Sequence, residues 1–244
     1  MTALHHAALS GFEDTVKALV SAGADVNADS PDYGTPLSLA ALKGRQNVVA
    51  TLLASRANVG GPGGVFGSPM HAACYSNEPE VIHTLLKHGA NPDLARFNRV
   101  HWYGYSWDGD IKSLIELSPK ASSASTPLYV ATSMRSTDAV RSLLDNGASV
   151  AEPEYEALMG LGLALESDEL AEEVFRRALE HAERIYGKDQ FDTIYCRRQL
   201  AGTLKRQKKY QMAAELCQNE LDTGRLRVEV LDAVIELGGL DYAH

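Results

Sequence analysis

The chain has 244 residues, 45% of them hydrophobic, and a net charge of −9. This length suits one or two globular domains with ample apolar material for a core. No apolar tract is long enough to cross a bilayer, so we expect no membrane partner, and the acidic balance argues against nucleic acid as the main partner. The first residues lack a secretory signal, and the three cysteines lack the spacing of a disulfide scaffold. These features predict a cytoplasmic location, with the nucleus as the alternative.

A short helix-start motif returns along the first half of the chain. Residues 35–44 open with Thr-Pro, which suits a helix start because threonine caps free N–H groups and proline tolerates the first helical position. Similar starts occur at Thr2, Ser68 and Thr126, and the step from Thr2 to Thr35 to Ser68 is 33 residues each time. A fixed period near this length is typical of stacked repeat proteins.

Each of these starts is followed by a second apolar run with helical spacing. Short polar sequences end the runs, and they begin at Gly23, Arg56, Gly89 and Gly147. A glycine after a helix favours a left-handed stop, and the Asp and Asn residues beyond it suit a projecting turn. The pattern therefore predicts pairs of helices that are joined by short β-hairpin fingers.

The Thr-Pro-Leu-His-type helix starts and the Gly-Ala-Asp-Val-Asn-type helix exits resemble ankyrin repeats over residues 1–150. The Tyr-Gly and Phe-Gly openings before Thr35 and Ser68 are similar to those of ankyrin arrays in filamentous fungi. The resemblance implies about five repeats, and the fourth is degenerate, since placing Asn98 over the helix start gives steps of 30 and 28 residues. We expect the stack to continue through this stunted repeat.

The first repeat lacks its leading hairpin, and Leu4 and Ala7 are not the polar residues that a terminal repeat carries on its outer face. Either the N-terminal edge of the stack meets a partner or the chain is clipped from a longer one.

Residues 151–244 change period and indicate a second, helical domain. The predicted helices span residues 155–166, 170–186, 194–206, 210–221 and 226–237. Leu200, Ala201 and Leu204 recur as they do in tetratricopeptide (TPR) repeats, and the long second helix is similar to that of kinesin light chains. This resemblance covers residues 155–221 and implies about two helical pairs plus a terminal helix. The fold class is thus all-α: an α/α solenoid in which an ankyrin repeat stack continues into TPR-like helical pairs.

The chemistry-bearing residues favour structural roles. His71 and Cys74 lie on one helix face and could form a metal pair or a nucleophile with its base. However, His5, His71 and His101 share one repeat position, at which the ankyrin resemblance implies a structural histidine. Zinc needs three or four convergent ligands. The glycine-rich stretch 60–67 lacks the lysine of a phosphate loop and is expected to be a flexible hairpin tip. We therefore expect no enzyme, no cofactor and no metal.

Two adjacent positions near the end of each first helix form a stripe along the repeats. The ankyrin resemblance implies that these positions line the concave groove of the stack. Aromatic side chains dominate interface energetics, so Tyr75 and Tyr105 are the expected anchors. The alternative is that these residues only pack between layers. The candidate protein-binding residues are Leu9, Leu42, Lys43, Tyr75, Tyr105 and Met134.

A basic run occupies residues 197–209, with six cations and no acid among them. The TPR resemblance places Arg198, Lys205 and Arg206 on a concave side that holds acidic peptides in such domains. A solvated turn is the first alternative, because exposed charges contribute little individually. A nuclear-import or nucleic-acid patch is the second.

These features predict a non-catalytic scaffold or recognition module that binds a protein, or an acidic peptide, on its concave ankyrin and TPR face. One alternative function is the sensor arm of a larger nucleotide-switch receptor of immune-like type, by analogy with fungal chains that carry such repeats. The other is a nucleic-acid or nuclear-import adaptor that uses the basic run. The sequence names no individual partner, because repeat folds host many.

Overall fold

The computed structural model describes residues 1–98, 123–150, 158–159, 161–163, 165 and 167–222. The chain forms two compact units, Met1–Ser149 and Val150–His244, and each is treated by itself below. Within the described ranges, no helix combines the length and the apolarity that crossing a membrane requires.

The described part of the first unit contains four pairs of short helices. They are α1 (Ala3–Ser10) with α2 (Glu13–Ser21), α3 (Pro36–Leu42) with α4 (Gln46–Ala54), α5 (Pro69–Tyr75) with α6 (Pro79–Lys87), and α7 (Pro127–Ser133) with α8 (Thr137–Asp145). The first helices pack in one row, α1 on α3 on α5 on α7, and the second helices pack in a parallel row. This arrangement confirms the stack of helical repeats that the 33-residue period predicts.

Local chemistry explains where each first helix begins. The hydroxyl oxygens of Thr2, Thr35, Ser68 and Thr126 each accept the backbone N–H three residues later. This bond satisfies one of the N–H groups that a helix start leaves without a partner. The four helix starts are therefore confirmed as the sequence predicts them.

The third and fourth helix pairs pack directly on each other, although Ser68 and Thr126 are 58 residues apart. Strands β1 (Arg96–Asn98) and β2 (Ser123–Ser125) pair antiparallel between them. No layer separates α5 from α7, so the expected fourth repeat is wrong as a member of the stack between these pairs. Residues 99–122, to which most of that repeat was assigned, lie outside the described ranges.

The same hydrogen bonds between neighbouring layers recur across this junction. Asn27 Oδ1 accepts the Asn58 backbone N–H at 2.7 Å, and Asp93 Oδ1 accepts the Ser149 backbone N–H at 2.7 Å. Asp93 lies two 33-residue periods after Asn27, so the two bonds are equivalent in the repeat. The fourth helix pair thus takes the place of the next layer after the third.

At two positions the first helix pair has polar residues where the later pairs have apolar ones. His6 and Thr15 are exposed, whereas the equivalent positions of the later pairs are buried and apolar. Those buried residues are Leu39, Val48, Ala72, Val81, Val130 and Ala139. Leu4 and Ala7, which suggested an apolar edge, are buried. These two residues therefore do not form an apolar edge, whereas Phe12 is 63% exposed.

Arg56 is one of three non-glycine residues with positive φ in the described part of the first unit, the others being Asn77 and Arg135, and it leads to a stability prediction. Arg56 has φ of 66°, where the other pairs have the left-handed glycines Gly23, Gly89 and Gly147. Left-handed backbone costs a non-glycine residue about 1–2 kcal/mol, and the greater freedom of glycine in the unfolded chain offsets part of this. We expect Arg56→Gly to raise the free energy of unfolding by about 0.5–1 kcal/mol, measured by urea denaturation. Arg56→Ala keeps the Cβ atom, and equal stability of the two variants would contradict this explanation.

The described part of the second unit contains α9 (Asp168–Ile185), α10 (Phe191–Arg206) and α11 (Tyr210–Asp222). Helix α9 packs on α10 and α10 packs on α11. Three of the predicted helices are thereby confirmed with slightly shifted ends. Of the first predicted helix, residues 158–159 and 161–163 are described and helical, and residue 165 is described and not helical. The segment 226–237 lies outside the described ranges. Assignment of the second unit to TPR repeats stays a prediction.

Small residues allow close packing in the second unit. The Phe175 ring is buried, and a Cβ atom on Gly162 would lie 2.7 Å from its Cε1 atom. Ala171 and Ala178, one turn away from Phe175 on α9, are also fully buried. The apolar face of α9 therefore points into the core of the unit.

Candidate protein-binding site

The stripe residues lie at the ends of successive first helices, but they are not equally accessible. Leu9, Tyr75 and Met134 are half-buried, and Lys43 is exposed. Leu42 is only 3% exposed, so it belongs to the core. For this residue the alternative holds, namely that it only packs between layers. The remaining candidate, Tyr105, lies outside the described residues. We use the name stripe below for Leu9, Lys43, Tyr75 and Met134.

Tyr75 is the aromatic member of the stripe and is held by a neighbouring ring. Its ring meets that of Phe66 edge to face, with centroids 5.3 Å apart and an interplanar angle of 62°. Phe66 is buried on a short 3-10 helix, Gly64–Phe66. Partial burial also raises the pKa of the Tyr75 hydroxyl. A ring that is fixed on one side loses little further freedom when a partner covers the other.

The loops between the first three helix pairs are in close backbone contact. The Val65 N–H donates to the Asp32 carbonyl at 3.0 Å, and the Thr35 N–H donates to the Pro62 carbonyl at 3.2 Å. A Cβ atom on Gly63 would lie 2.7 Å from the Ser68 Cα atom. The glycine-rich stretch is thus packed against the adjacent loop rather than projecting as a free hairpin tip. The sequence analysis missed this packing because the contacts of the glycine-rich stretch are with a loop 33 residues earlier in the chain.

His71 and Cys74 have structural roles. His71 Nδ1 lies 2.6 Å from Ser68 Oγ, and its Nε2 lies 2.8 Å from the Ser125 carbonyl oxygen. Cys74 is fully buried, and burial raises the pKa of its thiol, which disfavours the reactive thiolate. Among the described residues, no three His, Cys, Asp or Glu side chains come together as metal ligands would.

The buried arginine of the basic run is bound within the second unit. Arg197 is 5% exposed, and its guanidinium donates to Glu183 Oε1 at 3.0 Å and to the Lys188 carbonyl at 3.3 Å. Both partners lie outside the basic run, on α9 and in the loop that follows it. Arg197 therefore braces the α9–α10 connection.

The other end of the basic run is also paired with acids of α9. Arg206 Nε lies 2.7 Å from Asp168 Oδ1, and Lys209 Nζ lies 2.8 Å from Glu172 Oε2. The sequence shows the cations side by side but not these acids, which come more than thirty residues earlier. Of the three residues expected to bind an acidic peptide, Arg206 is thus engaged by Asp168. Arg198 and Lys205 are half-buried on α10.

Comparison with known proteins identifies part of the first unit. Residues 4–96 match the family model of ankyrin repeats, with three copies. These residues contain the first three helix pairs and the loops between them. A search of curated proteins found no match to the chain.

Proposed function

We propose that the first unit is a non-catalytic recognition module that binds a protein partner along the stripe. The observation that carries this proposal is the recurrence of Leu9, Lys43, Tyr75 and Met134 at accessible positions on successive layers. Ankyrin repeats generally mediate protein–protein interactions, and residues 4–96 match that family. The fixed ring of Tyr75 supplies the aromatic contact that interfaces favour, with Lys43 and Met134 on the layers beside it.

The test compares wild type with Tyr75→Ala in affinity capture, followed by binding measurements on the purified partner. We expect Tyr75→Ala to weaken binding at least about tenfold, which corresponds to about 1.4 kcal/mol. Tyr75→Phe keeps the ring and its contact with Phe66, so its affinity should stay close to that of wild type. Tyr195→Ala, which removes an exposed tyrosine of the second unit, is the matched control. Unchanged affinity of the Tyr75→Ala variant for the partner would contradict the proposal.

The basic run gives less support to the alternative functions. The ion pairs of Arg197, Arg206 and Lys209 with acids of α9 lower the net positive charge that an acidic peptide or a nucleic acid would meet. The proposal therefore places recognition on the first unit. A cytoplasmic location forms part of it, because the free thiols of Cys74 and Cys196 suit a reducing compartment.

A further inference from the structure

His5 joins the first helix pair to the second. Its Nδ1 lies 2.8 Å from Thr2 Oγ1 and 3.1 Å from the Thr2 backbone nitrogen, and its Nε2 lies 2.9 Å from the Gly34 carbonyl oxygen. A carbonyl oxygen only accepts, so Nε2 carries the proton and Nδ1 is the acceptor. The neutral ring therefore satisfies every one of these contacts, and it is only 1% exposed.

A second proton on the His5 ring would disturb this arrangement. It would place an N–H on Nδ1 opposite the Thr2 backbone N–H, which would break one bond of the helix cap. Burial is the largest influence on His5 and lowers its pKa from the usual 6.5, and the Met1 amine and His6 act in the same direction. The Gly34 carbonyl and Asp29 raise it, but by less. The ring thus binds a proton more readily once it leaves its site.

The elements packed against α1 add few charges. Helix α2 contributes Glu13, Asp14 and Lys17, and Glu13 is paired with Lys17 at 2.6 Å. Helix α3 has no charged residue within its bounds. Beyond it, Arg45 donates from Nε to the Leu9 carbonyl at 3.3 Å. Carboxylates and arginine do not change charge near neutral pH, so His5 is the buried group of this region that does.

Among the described residues, the first helix pair contacts one neighbouring layer, the second pair. It packs on α3 and α4, and its His6 and Thr15 are exposed. Its Leu19 and Val20 are half-buried, whereas their equivalents Leu52 and Leu53 are buried. In a stack whose layers contact only their neighbours, such a layer can open without the rest.

We propose that the first helix pair is a pH-sensitive layer that opens from the stack on mild acidification, because protonation of His5 breaks a bond that holds the layer closed. Because the pKa of His5 is lower in the folded state than in the open one, its stabilising contribution is complete above about pH 6.5 and is lost as the pH falls below that value. One proton allows the opening equilibrium to rise by at most about tenfold per pH unit. The expected rise between about pH 7.5 and about pH 5.5 is therefore at most about tenfold.

Hydrogen exchange of the full chain, detected by mass spectrometry and corrected for intrinsic exchange chemistry, tests the proposal. Amides of α1 and α2 should open more at about pH 5.5 than at about pH 7.5, by up to about tenfold, while those of α3 and α4, which carry no histidine, change less than about twofold. No change in α1 and α2 would overturn the proposal. An equal rise in α1 to α4 would also overturn it, because the opening would not be local.

Two variants and one titration test whether His5 causes the pH dependence of opening. His5→Gln should abolish the pH dependence, and His6→Gln, which alters the exposed neighbour, should keep it. His5→Gln could open the layer at every pH, so the His5 ring nitrogens of wild type should also be followed by NMR. We expect the Nε2–H tautomer at about pH 7.5 and a midpoint below the usual 6.5. A midpoint at or above that value would overturn the proposal.

Discussion

Replacing Gly34 by alanine is expected to lower the free energy of unfolding of the first unit by about 3 kcal/mol. Gly34 has φ of 70°, a left-handed conformation that costs a residue with a Cβ atom about 1–2 kcal/mol. The added Cβ atom would also lie 2.6 Å from the Gly63 Cα atom and the Gly64 nitrogen, so the backbone would have to move. Forcing atoms into such a packed site costs a further 1–3 kcal/mol, roughly.

Gly23→Ala separates these two costs. Gly23 has φ of 87°, but no atom lies within 4 Å of the position of an added Cβ atom. Its replacement should cost only the conformational part, about 1 kcal/mol. Hydrogen exchange of the α3 and α5 amides as a function of urea measures both variants within the first unit. Equal losses in Gly34→Ala and Gly23→Ala would show that the contact between the loops does not contribute.

Much of the first unit could be predicted because its signals are local. A threonine or serine cap makes its bond three residues away, and a left-handed glycine acts on its own backbone. These features can be recognised within one repeat, and the 33-residue period places the same features in each of the other repeats. The helix pairs and their order followed from this. The accessibility of the stripe did not, since Leu42 and Tyr75 share a repeat position but differ in burial.

The features that sequence reasoning missed depend on distant partners. From the sequence alone, the longer step between Ser68 and Thr126 can be taken for an additional, shortened repeat. In the structure, the packing of α5 on α7 and the bond from His71 to Ser125 show that the third and fourth pairs are neighbours. The cations at Arg206 and Lys209 are contiguous in the chain, whereas their acids lie on another helix. Partners at such separations have no spacing rule, so a single sequence does not reveal them.

Replacing His71 by alanine is expected to destabilise the first unit by about 3 kcal/mol. The change removes the ring that lies between Ser68 Oγ and the Ser125 carbonyl, both of which are buried. A buried polar group that loses its partner costs about 1–3 kcal/mol, and the cavity left by the ring adds to this. The exposed His6 is the control, and His6→Ala should change the free energy of unfolding by less than about 0.5 kcal/mol.

The His71→Ala variant also tests the order of the layers, through the positions of the amides that lose protection from hydrogen exchange. His71 lies on α5, and its ring is bonded to Ser125. The next residue, Thr126, caps α7. If these helices are adjacent layers, hydrogen exchange in increasing urea should show α5 and α7 losing protection together. The exposed-site variant His6→Ala should leave both helices as they are in wild type. Loss of protection in α5 with α7 unchanged would mean that the bond to Ser125 does not hold the two layers together.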